Sequence, residues 1–156
     1  MTTEHFVFFY GGPFSQWYPQ SFVLHGVEYS CAEQCMMASK AALFEDRESY
    51  KKIMDTRNPK EQKALGRLVK GFEVEKWNNS AKEIVFEANH AKFSKNPFMK
   101  QMLLDTGDRE LVEASPFDKI WGIGMDTSDP DVLDKTKWRG TNWLGEALMR
   151  VRKSIR

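Results

Sequence analysis

The spacing of hydrophobic and polar positions changes several times along the chain, and each change marks an element. Phe6-Val7-Phe8-Phe9-Tyr10 is a continuous apolar run ended by Gly11-Gly12-Pro13, the pattern of a buried strand stopped by a turn. Phe14 to Pro19 mixes aromatic rings with amide and hydroxyl groups and reads as a loop. Phe22-Val23-Leu24, His25-Gly26 and Val27-Glu28-Tyr29 predict a tight hairpin. The hairpin delivers the chain into a helix from Tyr29 to Phe44. Cys31, Cys35, Ala38 and Ala42 fall on one side of this helix and Met36, Met37 and Phe44 nearly opposite, so it should be buried. Ser30 followed by Glu33 predicts an N-cap with a capping box.

From there the sequence is mostly helical to about Leu104. Asp46 predicts a cap for a helix through Met54, and Asn58-Pro59 starts one through Val69. Trp77, Ala81, Ile84, Val85, Ala88 and Ala91 keep a period near 3.6 from Val74 to Phe93, a long amphipathic helix. Asn96-Pro97 opens another, ending at Thr106-Gly107-Asp108. Glu110 to Pro116 reads as a strand running into Phe117 to Gly124. Met125 to Lys137 is polar and reads as a mobile loop or one weak helical turn, and a last helix runs from Trp143 to Arg152. Its closing basic cluster, Arg150, Arg152, Lys153 and Arg156, suits a helix C-terminus. The expectation is one α+β domain over residues 1–156, mainly helical, with a small β-sheet around a buried central helix.

Composition removes several function classes. Lys and Arg total 23 against 22 Asp and Glu, which leaves no net field for extended nucleic-acid contact. No apolar run approaches the roughly 20 residues that cross a bilayer, and no signal peptide is visible, so a cytoplasmic protein is expected. The two cysteines sit four apart on a helix, too splayed for an easy disulfide. With His5, His25 and His90 as the only imidazoles and no ligand spacing among them, neither a metal nor a cofactor is expected. Gly122-x-Gly124 is too short for a dinucleotide fingerprint.

Candidate chemistry centres on the predicted buried helix. Glu33 and Lys40 are the only charges between Tyr29 and Phe44. They project from one face about 10 Å apart along the axis, a gap that fits a sugar. Burial would raise the carboxyl pKa and lower that of the amine, toward the range useful for proton transfer or amine attack. Equally, Glu33 would serve as a capping-box residue and Lys40 would snorkel. Farther on, Trp121 offers a stacking face, Gly122 and Gly124 allow close backbone approach to a ligand, and Glu113 and Asp118 suit either ribose hydroxyls or structural caps.

The chain resembles a known family in Ser30-Cys31-Ala32-Glu33-Gln34-Cys35-Met36-Met37-Ala38-Ser39-Lys40-Ala41, Leu65-Gly66-Arg67, Ala91-Lys92-Phe93, Leu111 to Pro116, Ile120 to Gly124 and Gly140-x-Asn142-x-Leu144-Gly145. These stretches, in this order, are similar to the YbiA/NADAR family. Departures fall at Ala32-Glu33-Gln34-Cys35, where many members have Ser-Glu-His-Tyr, and at Ser15-Gln16, where many have Ser-Asn. The resemblance implies an N-glycosidase that cleaves the C–N bond of phosphorylated ribosylamino-pyrimidine intermediates of riboflavin synthesis. Its alternatives are an ADP-ribosyl-guanine hydrolase and a non-catalytic binder of NAD or ADP-ribose. The partner implied is a small molecule, a phosphorylated riboside or ADP-ribosylated guanosine. Glu33 and Lys40 are expected at the reacting centre, Lys40 as Schiff-base amine or phosphate ligand. Ser15, Gln16, Trp17, Arg67, Glu113, Asp118, Trp121, Gly122 and Asn142 are expected to face substrate.

Overall fold

Along the chain run β1 (Phe6–Phe9), β2 (Phe22–Leu24), β3 (Val27–Tyr29), α1 (Ala32–Leu43), α2 (Arg47–Asp55), α3 (Pro59–Gly66), α4 (Val74–Ser94), α5 (Pro97–Leu104), β4 (Glu110–Glu113), a 3-10 turn (Lys135–Lys137) and α6 (Trp143–Ile155). The computed structural model describes every residue from Met1 to Arg156. The class is α+β, six α-helices with four strands in two pairs. Contacts divide the chain into a first unit, Met1–Ser15 with Asn96–Arg156, and a second, Gln16–Lys95.

In the second unit β2 and β3 pair antiparallel, Phe22 opposite Tyr29 and Leu24 opposite Val27. His25 and Gly26 both take positive φ, 50° and 77°, as a two-residue hairpin turn matched to strand twist requires. The hairpin leads into α1, which packs on α2, α3 and α4 and buries Ala32 through Ala38 without interruption. The caps of α2 and α3 follow their sequence signals: the Asp46 side chain accepts from Ser49 N–H and that of Asn58 from Lys60 N–H, with Pro59 opening α3. Three hydrogen bonds, from Ser49 N–H and Oγ and from Lys70 N–H, hold the Asp46 carboxyl down at about 2. Helix α3 stops at Gly66, short of the expected Val69. The glycine is needed there because a Cβ would lie 2.0 Å from Met37 Sδ, so it lets α3 close onto α1.

In the first unit β1 and β4 pair in parallel, Phe6 opposite Glu110 through Phe9 opposite Glu113. Phe8, Val112, Ala114, Ile123, Met125 and Val132 form its core, with Phe6 and Trp138 against it. The expected strand to Pro116 ends at Glu113. The segment Met125 to Lys137, expected as a mobile loop or weak turn, is a series of turns ending in the 3-10 turn. Asp126, Asp129 and Asp134 each accept a backbone N–H two residues on, and buried Met125 and Val132 pin the segment to the core. In the terminal basic cluster Arg152 is buried, donating to Thr106 Oγ1 and Arg109 C=O at 2.8 Å each. Its role is to tether α6 to the loop after α5.

Candidate active site

The start of α1 differs from expectation in a way that matters for Glu33. Cys31, not Ser30, is the N-cap, with extended backbone and no side-chain cap bond. Gln34 does the reaching back: its Oε1 accepts from Ser30 N–H at 2.7 Å and from Ser30 Oγ at 3.1 Å. Its Nε2 donates at 3.1 Å to the carbonyls of both Ile53 and Thr56, at the end of α2. A carboxylate cannot both accept at one end and donate at the other, whereas the Gln34 amide does, so the next residue displaces Glu33 from the box. Glu33 is left 6% exposed in the first turn, with its backbone N–H on Gln16 C=O at 2.9 Å. The helix dipole favours a carboxylate there.

Lys40 lies near the other end of α1, its ammonium 4.6 Å from the Phe72 ring centre and 5.7 Å from that of Trp77. Burial lowers its pKa, Glu33 raises it and Arg67 lowers it again, so the three charges sense one another. The closure of Gly66 onto Met37, three residues before Lys40, carries Arg67 to this place. Neither cation makes a salt bridge. Aromatic faces attract a charged amine, which works against the effect of its partial burial.

Lys92, on α4, is a different amine. It is 1% exposed, 5.0 Å from the Phe93 ring centre and 5.7 Å from Tyr18's, and burial pushes its ammonium down to about 7, with Cys31 acting weakly in the opposite sense. The expected site omitted it. Its signal was nonetheless present: Ala81, Val85 and Ala88 are fully buried, and the same spacing continued one turn reaches Lys92. Asn89, one turn before it, is fully buried as well. The cysteines do not compete as nucleophiles, since burial raises both thiols, Cys35 to about 12.

Of the other expected residues in the second unit, Gln16 is buried and Trp17 and Arg67 are exposed. In the first unit, Ser15 donates its N–H to Gly12 C=O at 2.9 Å. Asp118 Oδ1 accepts from the N–H groups of Ile120 and Trp121 at 2.9 and 2.8 Å. Trp121 meets Trp143 edge-on at 5.5 Å. The room at Gly122 is filled by its own loop: a Cβ would lie 2.9 Å from Asp118 C=O and 3.0 Å from Glu113 C=O. Asn142, left-handed at φ 54°, donates from Nδ2 to Leu111 C=O at 2.9 Å and accepts at Oδ1 from Glu113 N–H at 3.0 Å, clamping β4. In the second unit a cleft of about 610 Å³ is lined by Ala42, Asp46, Arg47 and Tyr50, and in the first a cleft of about 500 Å³ is lined by Phe9, Tyr10 and Phe117. Glu33 and Lys92 line neither of these two.

Residues 8–156 match the family described as the NADAR domain. The chain belongs to that family. An N-glycosidase of Acanthamoeba polyphaga mimivirus is 43% identical over 98% of this chain and 98% of its own. A riboflavin biosynthesis protein, PYRR, chloroplastic, of Arabidopsis thaliana is 33% identical over 75% of this chain, a match that takes in 19% of the plant protein. The NMR structure of the E. coli protein YbiA superposes with a TM-score of 0.79 at 23% identity, over 99% of this chain and 86% of that one, and so shares the NADAR fold. No helix is long and apolar enough to cross a membrane.

Proposed function

We propose that this NADAR protein, residues 1–156 working as one domain, is an N-glycosidase that hydrolyses the C–N bond of a phosphorylated riboside, with a ribosylamino-pyrimidine phosphate preferred. The relative named N-glycosidase supports a hydrolase acting on N-glycosyl compounds, and the relative named for riboflavin biosynthesis supports the pyrimidine. The observation that carries the reading is a sealed lysine, with its ammonium pushed down to about 7, in the same helical unit as a buried glutamate in the first turn of α1.

Cleaving an N-riboside builds positive charge at the anomeric carbon, which an adjacent carboxylate stabilises. Glu33 takes that role. Two lysines compete for the amine, and their surroundings favour different tasks. Lys92, made neutral by burial, attacks the anomeric carbon as the bond to the base breaks, and the departing nitrogen takes a proton. The N-ribosyl lysine opens to a Schiff base, water adds, and free sugar phosphate leaves as the amine is restored. Lys40, held as a cation by Phe72 and Trp77, joins Arg67 in binding the phosphate.

The test is incubation with ribosylamino-pyrimidine phosphates and ADP-ribosylated guanosine, products being read by mass, followed by borohydride trapping and peptide mapping. Release of base with the adduct on Lys92 is expected. Release only from ADP-ribosylated guanosine would move the substrate, an adduct on Lys40 would exchange the lysines, and binding without release would make the protein a non-catalytic module.

A further inference from the structure

We propose that Asn89 is a positioning residue that locks the side-chain amide of Gln16 so that its N–H, rather than its carbonyl, is offered to an oxygen acceptor of the substrate, an inference that rests on the N-glycosidase reading above. The orientation follows from one atom that has no choice. Val85 C=O can only accept, so the Asn89 side-chain atom 2.9 Å away is the donor Nδ2. That same Nδ2 lies 2.8 Å from the Gln16 amide, which must therefore present Oε1 to it. The opposite end of Gln16, Nε2, is left with the Met36 thioether at 3.8 Å as its one partner, a weak acceptor for two N–H groups.

Three further facts show that the arrangement is held rather than incidental. Asn89 is fully buried and its Oδ1 has no hydrogen-bond partner, a cost that flipping the amide would not remove, because Oδ1 would then face two acceptors. Gln16 is only 8% exposed, so its amide is not free to turn in solvent. Its backbone carbonyl accepts the N–H of Glu33 at 2.9 Å, tying Gln16 to the turn of α1 that carries the proposed carboxylate. The under-used donor thus sits at the Met36 thioether, on a residue whose backbone is tied to that of Glu33. It suits a neutral or anionic oxygen and disfavours an N–H donor at the same place.

Two measurements test this. By NMR, a scalar coupling through the hydrogen bond between Asn89 Nδ2 and the Gln16 side-chain carbonyl carbon is expected, and a coupling from Gln16 Nε2 to Asn89 instead would overturn the assignment. In turnover, Asn89→Leu and Gln16→Ala should each raise KM on the order of tenfold with a smaller change in kcat, and the double variant should be no worse than either. Multiplying effects, or an unchanged KM in Asn89→Leu, would sink the proposal. Should Asn89→Leu fail to fold, Gln16→Glu keeps an acceptor toward Asn89 and replaces the offered donor with a negatively charged acceptor. A similar KM rise is expected from it, and none would count against the inference. If the wild type cleaves no riboside, the N-glycosidase reading fails by itself. The same variants are then read by calorimetry with ribose 5-phosphate, where loss of affinity in both single variants supports Asn89 and equal affinity in all removes it.

Discussion

Asp118 and Glu33 are both carboxylates next to residues typical of a ligand site, and the two regions that hold them use them oppositely. In the loop from Glu113 to Gly124, polar atoms serve the backbone. Asp118 Oδ1 takes two N–H groups, Asn142 spans Leu111 and Glu113, and the space at Gly122 admits neighbouring carbonyls. On α1 the ladder of the helix satisfies the main chain, and Gln34 alone handles the connection before it. A loop must spend side-chain hydrogen bonds to hold its shape, so a polar loop residue is weaker evidence of chemistry than a buried charge on a helix.

The sharpest way to break that comparison is Glu33→Gln. Turnover should fall on the order of 10²-fold or more while the melting temperature changes far less, because the amide keeps the shape of the carboxylate. Near-full activity on a demonstrated substrate would return the search to Glu113 or Asp118.

Lys92→Met should also abolish borohydride trapping and most turnover, yet it should stabilise the fold. The folded-state pKa of about 7 lies below that of an unfolded lysine, so between those values the unfolded chain holds more protons and stability climbs with pH. Below pH about 7 both states are charged and the full burden of burying the amine is present, about 5 kcal/mol by the size of the shift. The variant should thus gain most over wild type in acid and least above pH about 10. Wild-type kcat should rise through pH about 7 as the amine loses its proton. A flat profile, or a variant that melts earlier at every pH, would contradict this use of Lys92.

Asn142→Ala is expected to cost about 2–3 kcal/mol in denaturant unfolding, since it strips partners from two β4 backbone groups, one of them the carbonyl of fully buried Leu111. Lys40→Ala and Arg67→Ala should each raise KM for a phosphorylated riboside about tenfold and leave the dephosphorylated analogue unaffected, the mark of a phosphate contact. Smallest of all, Asp118→Asn should change stability by less than about 1 kcal/mol, because an amide oxygen still accepts both N–H groups. Should its turnover fall as far as that of Glu33→Gln, the loop is as chemical as the helix.

Local signals were legible before any coordinates. His25-Gly26 specified its turn, and Asp46, Asn58-Pro59 and Asn96-Pro97 specified helix starts, because each partner lies within a few residues. The period of α4 gave its extent to within a residue or so. The one misread start was that of α1. Ser30 and Glu33 satisfy the capping pattern, but the carbonyls at the end of α2 that recruit Gln34 are about twenty residues away.

By itself, then, the sequence determined the α+β class, the order of the elements and the burial of α1, which follow from periodicity, local hydrogen bonding and composition, while the likeness to the NADAR family rests on its motifs. Tertiary structure alone decided the parallel pairing of β1 with β4, separated by about a hundred residues, and the stop of α3 at Gly66 against Met37. It also decided which charges are sealed. The pKa of an amine depends on what covers it, and covering is done by residues distant in sequence. Lys40 and Lys92 are the same residue on two helices, yet one is half-buried against Phe72 and Trp77 while the other, at 1% exposure, has its ammonium pushed down to about 7.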